Sequence, residues 1–234
     1  MDNPGLCDRW SMVQERISLA CQRSGRDGRD VQLIVVTKRH PVDPIRELYR
    51  LGQRHFGENR LPEALEKKTQ LPEDAIWHMI GHLQSNKAKQ AAQLSWLHSL
   101  TSVSAALALQ KELDRTQRSL EVLLEVKTSP EEAKLGLGYF EELETLAETL
   151  AQTPRLKVRG LMTMAPETSD KGVIRQCFRS LRSWQERAAS RFPWASWEHL
   201  SMGMSGDFEI AIEEGSTLVR VGTAIMGPPA EENA

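Results

Sequence analysis

Two hydrophobic rhythms alternate along this chain. In some stretches apolar residues recur every three or four positions; in others they run almost unbroken. Leu6, Trp10, Val13, Ile17 and Cys21 share one helical face, and Ser24-Gly25-Arg26-Asp27-Gly28 breaks that pattern. Residues 31–37, Val-Gln-Leu-Ile-Val-Val-Thr, are β-branched and almost wholly apolar, as in a strand buried on both faces. Pro41 and Pro44 follow, and a helix is predicted over 43–51, stopped by Gly52. Further strands are predicted at 55–57, 76–80, 96–99, 120–126, 156–162, 197–201 and 218–221. Helical stretches fall between them. The clearest are 139–152, with Phe140, Leu143, Ala147 and Leu150 on one stripe, and 172–191, with Phe178, Leu181 and Trp184.

Eight strands, nearly all followed by a helix, argue for a parallel sheet closed into a (β/α)8 TIM-type barrel with an extra N-terminal helix. An open doubly wound sheet is the alternative, and eight units suit it less well. One domain is expected over residues 1–227, followed by a short, acidic, frayed tail at 228–234. A chain of 234 residues is ample for one such core.

Composition narrows the functional classes. The net charge of −2 gives no field that would favour nucleic acid or an acidic membrane. Cys7, Cys21 and Cys177 are odd in number and widely spaced, which makes a poor disulfide framework and suits a reducing compartment. The polar N-terminus does not read as a signal peptide, and no run of about 18 apolar residues reads as a membrane span. A cytoplasmic protein is expected.

The chemically unusual residues gather where strands end, which in a barrel is the rim that holds active sites. Lys38 follows the first strand. With Ile34 and Val36 on its own face, it is expected to point into the barrel mouth. There, shielding would favour the neutral amine that attacks an aldehyde; the alternative is a solvated surface cation. Ser201-Met-Gly-Met-Ser205 follows the seventh strand and Gly222-Thr223 the eighth. Gly203 and Gly206 permit close backbone approach, and Ser205 is placed to cap a helix starting near Asp207, whose free N–H groups would suit an anion. Loops after strands seven and eight often hold phosphate in barrels, although glycine and serine also serve as plain turn residues. Arg220 is a charge inside an apolar strand and needs a ligand or an ion-pair partner, Glu209 or Glu213 being the candidates for the latter. His78 and His82 lack zinc-binding spacing and are read as packing or hydrogen-bonding residues. No G-x-S-x-G elbow is present.

Together these segments resemble the YggS/PROSC family of pyridoxal phosphate homeostasis proteins. The pieces are Val36-Thr-Lys38, Phe56-Gly-Glu-Asn59, Trp77-His-x-Ile-Gly-His82-Leu-Gln-x-Asn-Lys87 and Ser129-x-Glu-x-x-Lys134-x-Gly136. To these are added Arg159-Gly-Leu-Met162-Thr, Leu200-Ser-Met-Gly-Met-Ser205-x-Asp207-x-Glu-x-Ala-Ile212 and Val219-Arg-Val-Gly222-Thr-Ala-Ile225. They span nearly the whole chain in family order. The resemblance implies a barrel like the alanine racemase N-terminal domain, with pyridoxal 5′-phosphate (PLP) held as an internal aldimine on Lys38. It implies that Ser201, Met202, Gly203, Gly222 and Thr223 contact the cofactor, chiefly its phosphate. Arg220 would face the pyridine nitrogen, and Asn59 would lie near the ring. An arginine there disfavours protonating that nitrogen and makes the ring a weaker electron sink. The chain departs from the usual pattern at Arg39-His40, at Lys127, which adds charge near the rim, and at Gly206.

The expected function is PLP binding in vitamin B6 homeostasis and amino/keto-acid balance, without catalysis. Other B6 vitamers or PLP-dependent proteins are the possible partners, and a monomer is expected. The alternative is a PLP-dependent amino-acid racemase. A two-base racemase needs a second acid/base, and neither Tyr49 nor Tyr139 falls at a predicted strand end. A regulatory module whose cofactor state is read by a partner would be an addition to the first reading.

Overall fold

The computed structural model describes residues 5–129 and 135–228. Eight parallel strands close into a barrel in sequence order: β1 (Gln32–Val36), β2 (His55–Glu58), β3 (Ile76–Met79), β4 (Trp96–Leu100), β5 (Leu120–Glu125), β6 (Leu156–Met162), β7 (His199–Ser201) and β8 (Leu218–Val221). Helix α1 (Leu6–Arg23) precedes β1. Then α2 (Val42–Arg50), α3 (Leu61–Lys68), α4 (Ala88–Ala91), α5 (Val103–Thr116), α6 (Phe140–Leu150), α7 (Lys171–Arg191), α8 (Phe208–Glu213) and α9 (Thr223–Met226) follow successive strands. No helix among the described residues is long and apolar enough to cross a membrane.

Alternation along each strand builds two apolar layers, since successive side chains face opposite ways. On β1, Leu33 and Val35 join the larger core between barrel and helices, where Ile45, Leu48, Leu109, Leu143, Phe178 and Leu181 are fully buried. Ile34 instead packs inside the barrel with Leu123, Met162 and Leu218, beside Trp96 and Met164. Parallel register then carries side chains to the rim. Ile34 pairs with Arg220, Val36 with Gly57, and Met162 with Ser201.

Helix α1 packs on α8 and α9. Arg16 pairs with Glu209 at 2.6 Å, Arg23 with Glu213 at 3.2 Å, and Arg9 Nε donates to the Ile225 carbonyl at 2.6 Å. Glu209 and Glu213 are therefore engaged from outside the barrel, and the structure corrects their expected pairing with Arg220.

Strand β7 is shorter than the pattern predicts. Trp197 is buried, but its indole N–H donates to the Phe192 carbonyl at 2.9 Å and its own carbonyl accepts from Gln185, so its backbone belongs to the preceding loop. Most of the tail beyond Gly227, and the motif positions Glu131 and Lys134, lie outside the described residues.

Candidate functional site

A cavity of about 800 Å³ opens at the C-terminal ends of the strands, the rim where barrel proteins place their chemistry. Lys38, Asn59, Arg220, Gly222 and Thr223 line it. Five of the eight residues expected at the site therefore share one wall. Ser201, Met202 and Gly203 do not line it; Met204, Ser205, Gly206 and Asp207 stand there instead.

Local sequence explains how Lys38 is presented. Thr37 is the last buried residue of the β1 segment. Its N–H donates to the Gly57 carbonyl at 3.0 Å and its hydroxyl to Glu58 Oε1 at 2.6 Å. The chain then turns sharply, with Arg39 at φ 63° and its N–H on Glu63 Oε1 at 2.7 Å. Lys67, buried on α3, donates to Glu58 and Glu63, each at 2.6 Å, and to the Thr37 carbonyl at 2.8 Å. Burial pushes the Glu58 carboxyl up, against the pull of Lys67 and Thr37. The turn is thus pinned from below. Lys38 itself is exposed on the cavity wall, which corrects the expectation of a shielded side chain: it sits on the crest of the turn, one residue past the buried strand.

Arg220 is the deepest cation of the site, with 3% of its surface exposed. Its Nη1 donates to Ser201 Oγ at 2.7 Å and its Nη2 to the Thr163 carbonyl at 3.0 Å. Its Nε–H has no acceptor among the described residues. Burial lowers its pKa to about 10, while Asp207 and Glu125 oppose that fall. Both carboxyls are buried and line the same cavity, and burial pushes each of them up. Asp207 Oδ1 also accepts from the Met204 N–H at 2.6 Å.

The loops after β7 and β8 supply hydrogen-bond donors. Ser205 does not cap α8, as its position had suggested; its hydroxyl accepts from the Ala224 N–H at 3.2 Å and ties the two loops together. The backbone N–H groups of Ser205, Gly206, Gly222 and Thr223 have no acceptor among the described residues. Two hydroxyls and four N–H groups on one wall make a cradle for an anion. Gly203 has a different task. Its φ is +97°, and a Cβ there would lie 2.6 Å from the Ala211 Cβ. Its carbonyl accepts from the Arg220 N–H at 3.0 Å, so it lets α8 close on β8. Met202 is fully buried in the outer core. Ser201 is buried too, its hydroxyl occupied by Arg220 and, at 2.9 Å, by His98 Nδ1.

Sequence reasoning missed Glu125, Ser205's bridging bond, His55 and His98; His78, read as a packing or hydrogen-bonding residue, is hydrogen-bonded to both of those rings. A signal for the two missed histidines existed: His55, His78 and His98 fall one to a strand on β2, β3 and β4, each beside at least one apolar neighbour. Lys127 does not line the cavity, whereas Gly206 does. Neither tyrosine lines it; Tyr49 bonds to Asp74, and Tyr139 is 72% exposed.

A closed parallel barrel with a lysine, a buried arginine and an anion cradle on one rim cavity places the chain in the class of (β/α)8 barrels whose rim can hold an anionic ligand. Comparison with known proteins narrows it. The family model for the alanine racemase N-terminal domain matches residues 12–229. The chain is 41% identical over 223 residues to the pyridoxal phosphate homeostasis protein of Aquifex aeolicus, covering 94% of this chain and 97% of that one. It is 38% identical over 231 residues to that of Escherichia coli K12, covering 95% and 96%. Among solved structures it is similar to PipY of Synechococcus elongatus with PLP bound, at TM-score 0.81 and 39% identity, covering 92% of this chain and all of that one. The chain belongs to the alanine racemase N-terminal domain family and, within it, to the pyridoxal phosphate homeostasis proteins.

Proposed function

We propose that this chain binds PLP covalently through the Lys38 amine and serves in cytoplasmic vitamin B6 homeostasis and amino/keto-acid balance rather than in catalysis. When bound, PLP supplies an aldehyde that condenses with amines and a ring that withdraws electrons. The observation that carries the reading is the meeting of Lys38, Arg220 and the Ser205–Gly206 and Gly222–Thr223 donors on one cavity of about 800 Å³. The donor set fits the group. Four N–H groups and two hydroxyls suit a phosphate, the Arg220 Nε–H suits the pyridine nitrogen, and Asn59, on the same cavity wall, would lie near the ring.

Each residue has a separable task. Lys67, Glu58 and Glu63 hold the turn that presents the Lys38 amine. Ser205 and Thr223 would hold the phosphate and so orient the aldehyde toward that amine. Ser201, Met202 and Gly203 act behind the wall, keeping Arg220 and the β7–β8 loop in place. Arg220 favours an unprotonated pyridine nitrogen, because protonation would bring two cations together in a buried place. A ring so held is a weak electron sink, which suits storage and delivery better than bond-breaking at an amino acid. The absence of tyrosine from the described cavity wall supports the same reading, since the second base of a racemase has no candidate of that type there. The chain is taken to act as a monomer, exchanging PLP or a related vitamer with PLP-dependent proteins.

Titration of the purified protein with PLP tests the proposal. The visible absorbance of lysine-linked cofactor grows to one equivalent in the wild type and is lost in Lys38→Ala. A variant that keeps the band removes Lys38 from the account.

A further inference from the structure

Three histidines run through the barrel beneath Arg220. His55 Nδ1 is 2.9 Å from His78 Nε2, His78 Nδ1 is 2.9 Å from His98 Nε2, and His98 Nδ1 is 2.9 Å from Ser201 Oγ. Arg220 Nη1 closes the chain at 2.7 Å. His78 and His98 are buried, while His55 is half-buried at the foot of β2. Trp96 stacks on His78 with ring centroids 5.5 Å apart and meets His98 edge-on.

We propose that Ser201, His98, His78 and His55 form one directional hydrogen-bonded relay, which takes up the Ser201 hydroxyl proton and leaves its oxygen to hold Arg220 against the cofactor ring. This rests on the reading that Arg220 faces PLP, and it makes the four residues positioning residues.

The direction follows from donor counting. Arg220 can only donate, so Ser201 Oγ accepts from it. The one hydroxyl proton must then go to the other neighbour, His98 Nδ1. Were His98 Nδ1 protonated, that hydroxyl proton would be buried with no acceptor among the described residues, a costly state. His98 Nδ1 is therefore bare and Nε2 carries the proton, which it donates to His78 Nδ1. By the same rule His78 Nε2–H donates to His55 Nδ1, and the His55 Nε2–H faces the foot of the barrel. Every donor from Arg220 Nη1 to His78 Nε2 has an acceptor, and every ring is neutral. Burial lowers the basicity of all three rings, and the Arg220 charge adds to this at His98.

The surrounding charges show why a relay is needed. Glu125 and Asp207 act electrostatically on Arg220 at the upper end, yet neither forms an ion pair with it among the described residues. Ser201 and the Thr163 carbonyl instead hold both Nη atoms. The relay thus keeps the guanidinium from turning toward a carboxylate. At the foot, Glu198, Arg159 and Glu121 act on His199, and His199 in turn acts on His78 and His98.

Multiple-bond 1H–15N correlation spectra of the full chain, labelled at histidine and recorded without PLP at pH 7, read the tautomers directly. The relay requires His55, His78 and His98 to be neutral with the proton on Nε2. In Ser201→Ala the His98 ring nitrogens shift, PLP binding weakens on the order of tenfold, and the visible spectrum of bound cofactor changes. Ser201→Thr, which keeps the hydroxyl, restores all three. A proton on His98 Nδ1 in a protein that takes up PLP overturns the relay alone, as does an unchanged bound-cofactor spectrum in Ser201→Ala. A protein with the assigned tautomers that takes up no PLP overturns the functional reading beneath it.

Discussion

The Lys67 ammonium lies 2.8 Å from the main-chain oxygen of Thr37, directly beneath the turn that carries Lys38. It also bridges Glu58 and Glu63, so one buried amine joins the end of β1, the end of β2 and helix α3. Removing one member of a buried charged cluster leaves the others uncompensated. Lys67→Met is expected to lower stability by about 3 kcal/mol and to slow PLP uptake by loosening the turn. Urea unfolding and stopped-flow absorbance check this; an unchanged midpoint with unchanged uptake counts against the clamp.

On the proposed reading Ser205 and Thr223, which line the cavity, hold the phosphate, and Ser201, which does not line it, stands behind them. Ser205→Ala and Thr223→Val should each weaken PLP binding by roughly ten- to a hundredfold, the worth of one lost hydrogen bond to a charged group. Neither change should matter for pyridoxal, which lacks the phosphate. Equal losses for both ligands would move the cradle elsewhere.

Acid should destabilise the protein through its inner histidines. Burial holds His55 at about 4 and His78 and His98 well below their ordinary 6.5. As pH falls through about 6.5, the unfolded chain takes up protons on these rings and the folded chain does not, so stability falls with pH. Each ring kept neutral removes about 1.4 kcal/mol per pH unit over that window. Glu58, Glu125 and Asp207, pushed up by burial, act in the opposite sense just above ordinary carboxylate values. The histidine share is isolated by His78→Gln: its stability should fall less steeply than wild type between pH 6.5 and 5. Parallel curves would contradict the neutral ladder.

Gly160 sits where β6 meets β7, with φ +146°, and a Cβ there would lie 1.9 Å from the His199 carbonyl oxygen. Gly160→Ala must part the two strands at their Gly160–His199 pair. It should cost about 4 kcal/mol or more. Gly28→Ala, with open space and no positive φ, is the control and should leave the thermal midpoint within a degree or two. Similar midpoints for the two variants would refute the close contact.

Much of the barrel was legible because its strands are short apolar runs between turn signals, and residues 31–37 and 156–162 coincide with β1 and β6 to within a residue. Rim positions of Lys38, Gly222 and Thr223 followed from counting past strand ends, Arg220 from its charge inside an apolar strand, and Asn59 from the family resemblance. The exchange of Ser201 for Ser205 did not, because both serines fit a loop that binds anions. Only the Arg220 fork and His98, brought in from β8 and β4, show that the first hydroxyl is already engaged. Lys38's exposure was equally hidden. It depends on Arg39 adopting a left-handed conformation held by Glu63, a contact across 24 residues of chain. The histidine ladder was written one residue per strand, and single polar positions in apolar strands do not announce that barrel closure will align them.

The Lys38 linkage is read most directly by loading the protein with PLP, reducing it with borohydride, digesting it and locating the added mass. The account predicts one phosphopyridoxyl group per chain, on the peptide containing Lys38, with Lys38→Ala unlabelled. Label on another lysine, or none on a protein that has been shown to be folded, would contradict it.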